Sequence, residues 1–198
     1  MGDASSKTNH LTGQLLIAMP NMGDQRFDRS VVLMCSHAAD HAMGVIINKT
    51  LDGAGFGELL DQLSLEAPEH IAAQPVHYGG PVQQDRGLVI HSLDYQSANT
   101  LVVNDEIGVT GTRDILSDIA SGGATPRSYF LTLGHAGWAP GQLEDEIASN
   151  AWAHVDADRD LVFSDDDIWK NALERLGVTG AMLSPEWATA RPSDAPLN

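Results

Sequence analysis

Apolar residues in this chain recur in short runs that are almost continuous. Such runs cover residues 13–18, 30–36, 43–48 and 88–91, and each is bounded by glycine, proline or polar turn residues. This pattern predicts strands that are buried on both faces rather than strands with one solvated face. The polar link 37–42 is short, so the second and third runs are predicted to form an antiparallel hairpin.

Apolar residues with the spacing of an amphipathic helix are less frequent along the chain. We expect one helix around residues 58–63, one that begins near Thr112 and is closed by Gly122, and a last one over 165–176 with Ser164 as its N-cap. Residues 71–75 are expected to lead into an extended segment at 76–78, and a further extended segment is predicted at 101–103. Before the last helix, residues 153–157 and 161–163 are predicted to form a hairpin around residues 158–160.

The predicted helices are too few to cover an open sheet of this size on both faces. The sequence therefore predicts an α+β fold in which a mixed β-sheet curls into a partial barrel with helices packed outside. With 198 residues and no internal repeat or linker, the chain is expected to form a single domain over residues 1–198. Its ordered core is expected to span about residues 11–187, between flexible N- and C-terminal tails.

Composition indicates where such a protein resides. Cys35 is the one cysteine and has apolar neighbours, which predicts a buried thiol in a reducing compartment. No apolar run approaches the ~18 to 20 residues that span a bilayer, and the N-terminus lacks the apolar segment of a signal peptide. We therefore expect a soluble, cytoplasmic protein without a membrane partner.

The charge balance bears on possible partners. The formal net charge is −16, and the 11 lysines and arginines are dispersed rather than grouped into a basic stripe. A protein that binds duplex DNA neutralises about 6 to 10 phosphates, which would need most of these basic residues on one face. Direct DNA binding is therefore disfavoured, and a protein partner or a small ligand is expected instead.

Residues 128–152 form the first candidate site. The apolar run that begins at Tyr129 is expected to end at Gly134, with residues 135–138 forming a turn before an acidic helix that opens at Pro140. Trp138 and Trp152 are predicted to anchor this corner in the core. Strand–turn–helix corners present backbone N–H groups where ligands commonly bind.

A second glycine-rich corner lies in the middle of the chain. Gly79-Gly80-Pro81 permits a tight turn, and Asp85-Arg86 could form a surface ion pair or hold an anion. We expect the two corners to lie side by side and to share an anion-tolerant pocket. The predicted ligand-binding residues are Gly79, Gly80, Pro81, Asp85, Arg86, His91, Gly134, His135, Gly137 and Trp138.

Histidines are the remaining candidates for chemistry. His91 and His135 could act as acid/base groups or metal ligands, or could be histidines that only form structural hydrogen bonds. The link between the second and third runs contains His37, Asp40 and His41. These residues could chelate a metal ion loosely, or they could simply lie in a solvated loop.

The chain contains no G-x-S-x-G elbow, phosphate-binding P-loop or zinc signature, so we predict no metal, no cofactor and no assigned catalytic residue. Two function classes stay open. One is a binding or regulatory domain. The other is a hydrolase-like enzyme that uses His91 or His135 with an acidic partner.

Three motifs, in this order and spacing, resemble the AlgH/YqgE family of bacterial proteins: LLIAMPNMGDQRFDRSVVLMCSHAADHAMGVIIN, YGGPVQQDRGLVIHS and GHAGWAPGQLEDEIASNAW. The resemblance covers residues 15 to about 176. It implies a bacterial cytosolic domain with a mixed-sheet, barrel-like core and a regulatory effect on transcription, without an established activity. This sequence has His135 where family members usually carry an aromatic residue, which bears on ligand preference.

Overall fold

The computed structural model of the chain describes residues 11–178, and the predicted flexible tails lie outside that range. Ten strands fall within it: β1 Gln14–Ala18, β2 Val31–Ala38, β3 His41–Ile46, β4 Thr50–Gly55, β5 Pro75–Tyr78, β6 Val82–Ser92, β7 Thr100–Val102, β8 Ile107–Thr110, β9 Tyr129–Trp138 and β10 Trp152–Asp156. The helices in the described range are α1 Phe56–Gln62, α2 Glu69–Ala72, α3 Arg113–Ser121, α4 Gln142–Ala148, α5 Arg159–Val162 and α6 Ile168–Arg175.

All strands belong to one curled sheet. Its main path runs β10-β1-β2-β3-β9-β6-β8-β7, and β4 and β5 attach beside it. Every pair of neighbouring strands is antiparallel except β5 and β9, which run parallel. The sheet forms a half-barrel, which confirms the predicted α+β class with a mixed, curled sheet. That the whole chain 1–198 forms one domain stays a prediction.

Both faces of the sheet are apolar and covered. Alternate residues of β1 divide between them, since Leu15 packs with α5 and α6 on one face whereas Leu16 packs with α4 on the other. Helices α1, α2 and α3 cover the second half of that other face. Cys35 is buried with Leu15 on the face covered by α5 and α6, which confirms the predicted buried thiol, and burial raises the pKa of this thiol to about 12. In the described part of the chain, no helix combines the length and apolarity needed to cross a bilayer.

Four predictions about local structure are wrong. Residues 135–138 do not turn but continue β9, where residues 136–138 pair with β3. Residues 161–163 are not a strand, because Asp158 accepts a hydrogen bond from the Leu161 N–H and caps helix α5 instead. The last helix starts at Ile168, with Asp167 rather than Ser164 as its N-cap. Helix α4 begins at Gln142 rather than at Pro140.

Strand β9 continues past Gly134 because three glycines let backbone pack directly on backbone. A Cβ atom on Gly79 would lie 2.2 Å from the carbonyl oxygen of Gly134, and one on Gly80 would lie 2.2 Å from the carbonyl carbon of His135. Gly134 itself has a φ of 76°, a left-handed conformation that glycine adopts without strain. The segment after β5 therefore lies against the middle of β9, between β3 and β5.

We predict that Gly80→Ala prevents stable folding, because the added methyl group would overlap backbone atoms that cannot move aside. The expected cost exceeds about 4 kcal/mol, the range reached only when a specific structural requirement is violated. Urea denaturation of the purified variant measures it. Gly23→Ala is the matched control, since a Cβ there meets nothing within 4 Å. Equal midpoints for the two variants would contradict the close packing.

Candidate functional site

A groove with a volume of about 470 Å³ lies where four separate segments meet. It is bounded by the loop after β1, the start of β6, the end of β9, and helix α4 with the segment that follows it. The lining residues are Met22, Gly23, Asp24, Arg26, Phe27, Pro81, Val82, Gly137, Trp138, Gln142, Glu146 and Ala151. The loop after β1 thus forms one wall of the groove.

An aromatic cluster forms the floor of this groove. The Phe27 ring lies 6.5 Å from Trp138 in a stacked arrangement and meets the edge of Trp152 at 5.6 Å. Trp138 and Trp152 are 6% and 3% exposed, which confirms that they anchor the core. Aromatic pairs at these distances contribute about 0.5 to 1.5 kcal/mol each beyond area burial, so the rings of the floor stabilise one another.

Glu146 of α4 fixes the two indole rings. Its Oε2 accepts the Nε1–H of Trp138 at 2.9 Å and that of Trp152 at 2.8 Å, while Oε1 accepts from the Gln142 amide at 2.8 Å. A charged acceptor strengthens each of these bonds relative to a neutral one. Glu146 therefore joins α4 to β9 and β10 and places one negative charge in the groove.

The outer wall is held by side chains from the segment after β3. Asn48 accepts the Val31 N–H at 2.8 Å and donates to the Arg29 carbonyl at 2.8 Å, and Lys49 donates to the Arg26 carbonyl at 2.9 Å. Burial lowers the pKa of Lys49, and the nearby carboxylates oppose that shift. These bonds hold the wall in place where it bears Asp24 and Phe27.

An ion pair stands at the rim of the groove. The Arg26 guanidinium contacts both carboxylate oxygens of Asp24, with Nη2 to Oδ2 at 2.6 Å and Nε to Oδ1 at 3.1 Å. The same guanidinium lies 6.0 Å from the centre of the Phe27 ring. The hydrogen bonds from Arg26 lower the pKa of Asp24, so this carboxylate is ionised at neutral pH.

The two glycine-rich stretches lie side by side, as expected, although the second is a strand rather than a turn. Of the predicted site residues, Pro81, Gly137 and Trp138 line the groove. Gly79, Gly80 and Gly134 lie behind it, packed backbone to backbone. The Gly79 N–H is bonded to the Leu133 carbonyl, so it is not available to an anion.

Arg86 and His135 are neighbours outside the groove lining. Burial and the charge of Arg86 lower the pKa of His135, and its Nδ1 atom is buried without a hydrogen-bond partner among the described residues. Arg86 donates to Gln83 at 3.4 Å rather than pairing with Asp85, which forms no ion pair within the described range. The predicted Asp85–Arg86 pair is therefore wrong.

His91 does not join the others. It pairs with Tyr129 whereas Val82 pairs with His135, so the two imidazoles lie at opposite ends of the β6–β9 ladder. His91 is buried, its Nε2 is bonded to the Thr110 hydroxyl at 2.9 Å and its Nδ1 contacts the Ser92 carbonyl at 3.1 Å. Burial lowers its pKa. The prediction that His91 shares a pocket with His135 is therefore wrong, because His91 is a hydrogen-bonded histidine of the core.

The two histidines of the β2–β3 hairpin, His37 and His41, have different hydrogen-bond partners. His37 is buried, with Nδ1 accepting the Leu11 N–H at 3.1 Å, so Nε2 carries the proton and donates to Glu144 at 2.9 Å. His41 is bonded to Asp40 at 2.8 Å on the surface. Across the described residues, no three His, Cys, Asp or Glu side chains are grouped closely enough to hold a metal ion.

Three residues of the site were not identified from the sequence. Phe27 lies in a stretch without periodicity, Asn48 ends a predicted strand, and Glu146 is one of three consecutive acidic residues in the predicted helix. Only their distant partners reveal their roles: Trp152 for Phe27, Val31 for Asn48 and the two indoles for Glu146. A carboxylate at i+8 from one tryptophan and i−6 from another is not a recognisable local signal.

We expect Glu146→Gln to destabilise the fold by about 1 to 3 kcal/mol, the cost of leaving buried donors unsatisfied. The amide has one oxygen to serve three N–H groups, and its own NH₂ would face a donor. Urea denaturation gives the free energy of unfolding. Asp145→Asn on the same helix removes an equal charge from an exposed residue and should cost under about 1 kcal/mol. Equal losses in both variants would show that the indoles do not depend on Glu146.

We also expect Arg86→Gln to raise the pKa of His135 towards its ordinary value, because a repelling positive charge is removed. A histidine whose pKa is lower in the folded than in the unfolded chain adds stability that is complete above about pH 6.5. That stability is lost as pH falls from there through the pKa of His135 in the folded protein. Because Arg86→Gln brings the two pKa values closer together, this variant should lose less stability in acid. NMR titration of the imidazole measures the pKa, with Arg113→Gln as the control. An unchanged pKa would contradict the proximity of the two side chains.

Comparison with known proteins places the chain in a family. A family model described as DUF179, AlgH-like, matches residues 15–181. The UPF0301 protein blr1492 of Bradyrhizobium diazoefficiens is 47% identical over 191 residues, covering 91% of this chain and 89% of that protein. UPF0301 protein SPO0296 of Ruegeria pomeroyi is 49% identical over 178 residues, covering 88% of this chain and 96% of that protein.

Solved structures agree with this assignment. The solution structure of the AlgH protein from Pseudomonas aeruginosa superposes with a TM-score of 0.74 at 34% identity, covering 98% of this chain and all of that one. A crystal structure of protein DIP2367 from Corynebacterium diphtheriae shares the fold, with a TM-score of 0.65 at 23% identity over 82% of this chain and 85% of that one. Sequence, motifs and fold together make this chain a member of the AlgH-like family.

Proposed function

We propose that this protein is a binding domain that acts through the groove between the loop after β1, the end of β9 and helix α4. The observation that carries the proposal is the groove itself. Its volume of about 470 Å³ falls within the range of about 300 to 1,000 Å³ typical of ligand pockets. Apolar residues such as Met22, Phe27 and Pro81 line it together with a few oriented polar groups, which is the usual composition of a binding site.

The chemistry of the lining supports binding rather than catalysis. Among the described residues that line the groove there is no serine, threonine, cysteine, histidine or lysine. Its ionisable groups, Asp24, Arg26 and Glu146, are all hydrogen-bonded to neighbouring side chains. Nucleophilic catalysis needs a nucleophile next to a base, and these residues supply orientation and charge instead.

A regulatory role would follow from what the groove binds. The net charge of −16 opposes direct attachment to DNA, so an effect on transcription would pass through a protein partner or a bound ligand. A cytoplasmic location suits such a role and is consistent with the unpaired, buried Cys35.

An enzyme remains the second candidate, and one observation favours it. His135 keeps Nδ1 without a partner among the described residues and lies next to Arg86. An imidazole beside a guanidinium suits an anionic substrate, so the small anion expected from the sequence belongs to this surface rather than to the groove. His91 is not part of this alternative, because both of its ring nitrogens are engaged in the core.

NMR titration of the uniformly labelled protein with a panel of cationic, neutral and anionic fragments tests the proposal. Fragments that bind should shift the amide signals of the groove residues Gly23, Val82 and Gly137, and Phe27→Ala should abolish the shifts by removing part of the floor. Leu101→Ala, at an exposed position on β7, is the control.

Two outcomes would overturn the binding proposal. One is that no fragment of any class shifts the groove amides in the wild-type protein. The other is turnover of p-nitrophenyl phosphate or p-nitrophenyl acetate that survives Phe27→Ala and disappears in His135→Ala, which would favour the enzyme.

A further inference from the structure

The charges that face the groove are predominantly negative. Asp24 and Glu146 each contribute one negative charge, and Arg26 contributes one positive charge that is already engaged by Asp24. The protein around the groove carries a net charge of −16, which adds a negative long-range field. An anion entering here would meet Glu146 with no unpaired cation in the lining to compensate.

The groove also has acceptor capacity left over. A carboxylate offers about four lone-pair sites, and Glu146 uses two on Oε2 for the indoles and one on Oε1 for Gln142. The remaining site on Oε1 can accept an N–H from a ligand. Since Glu146 is fixed by three hydrogen bonds, that acceptor is oriented before the ligand arrives, which lowers the entropic cost of binding.

Aromatic surface completes the arrangement. The Phe27 ring and Trp138 line the same groove, and aromatic faces attract ammonium and guanidinium groups within about 6 Å of the ring centre. The protein itself provides an example of this chemistry, because the Arg26 guanidinium lies 6.0 Å from the centre of the Phe27 ring while it pairs with Asp24. A guanidinium is therefore compatible with this wall.

From these observations we infer that the groove takes a basic side chain, an arginine or a lysine, carried by an exposed segment of a protein partner. The inference rests on the proposed function of the groove and names its ligand class. The cationic group bonds to Oε1 of Glu146 and competes with Arg26 for Asp24, while its aliphatic stem packs on Phe27 and Trp138.

Two features favour a peptide over a free small cation. A volume of about 470 Å³ holds more than one charged head group and leaves room for flanking peptide atoms beside Pro81 and Val82. Val82 is 39% exposed, so it offers apolar surface next to the charged part of the groove. The overall negative charge steers a basic partner towards the protein and speeds the encounter at low salt.

Substitutions of the ion pair at the rim give a test whose sign depends on ligand charge. Arg26→Gln removes the competing cation and should tighten binding of a basic peptide by about three- to tenfold, whereas Asp24→Asn should weaken it by a similar factor. Asparagine still caps the 3₁₀ turn Gln25–Phe27, so the wall should keep its shape. For an anion-binding groove both changes would have the opposite sign.

The probes are acetyl-Gly-Gly-X-Gly-Gly-amide peptides in which X is arginine, lysine, citrulline or glutamate, together with free arginine amide. NMR titration at one fixed low salt concentration follows the indole Nε1–H signals of Trp138 and Trp152 and the amide of Gly137. The arginine peptide should bind at least about tenfold more tightly than the citrulline peptide, which has the same shape without the charge. Arg175→Gln and Asp165→Asn, which make the same changes in net charge, are the controls and should leave affinity within about twofold.

Each other outcome has a defined consequence. Equal binding of the citrulline or glutamate peptide, or loss of binding in Arg26→Gln, overturns the inference while leaving a ligand groove in place. Free arginine amide that binds as tightly as the peptide overturns the assignment to a protein partner. If neither these peptides nor neutral fragments shift the groove signals, the proposed function fails together with the inference.

Discussion

The direct contact between the backbone after β5 and the middle of β9 is the constraint on which the rest of the structure depends. Gly79 and Gly80 lie so close to Gly134 and His135 that no side chain fits between them. The Gly79 carbonyl accepts the Ile46 N–H and its own N–H donates to Leu133, so one residue connects β3 to β9. The two halves of the sheet, one built around β2 and the other around β6, are joined at this point.

This junction also determines where the groove lies. Because β9 continues as a strand past Gly134, Gly137 and Trp138 lie beside β3 and face the loop after β1. Pro81 and Val82 follow directly from the packed glycines and form the opposite wall. The groove therefore rests mainly on strands, and the loop that contributes Phe27 to its floor is fastened by Asn48 and Lys49. A base of this kind holds its geometry better than one made of loops.

Local sequence patterns predicted the features that depend on local physics. Alternate residues such as Leu15 and Leu16 are both apolar because each face of the sheet is covered, so the curled sheet could be inferred. The predicted turn at Gly134 was wrong because glycine is typical of turns. A glycine with a left-handed backbone inside a strand cannot be distinguished from a turn glycine by sequence alone. The run 161–163 was too short to distinguish a strand from a helix, and the Asp158 cap decided it. Phe27 and Glu146 could not be recognised, because their partners are distant in sequence or lie on other elements.

The irregularity in β6 has a consequence for where the sheet bends. Between the pairs Val82–His135 and Gly87–Leu133, β6 advances five residues while β9 advances two. Residues 83–86 of β6 are exposed and lie opposite the single residue Gly134, and a Cβ atom on Gly134 would lie 3.3 Å from the Cα atom of Gln84. A bulge bends its strand and increases the local twist. The bulge in β6 therefore places a bend of the sheet at the glycine contact where its two halves meet.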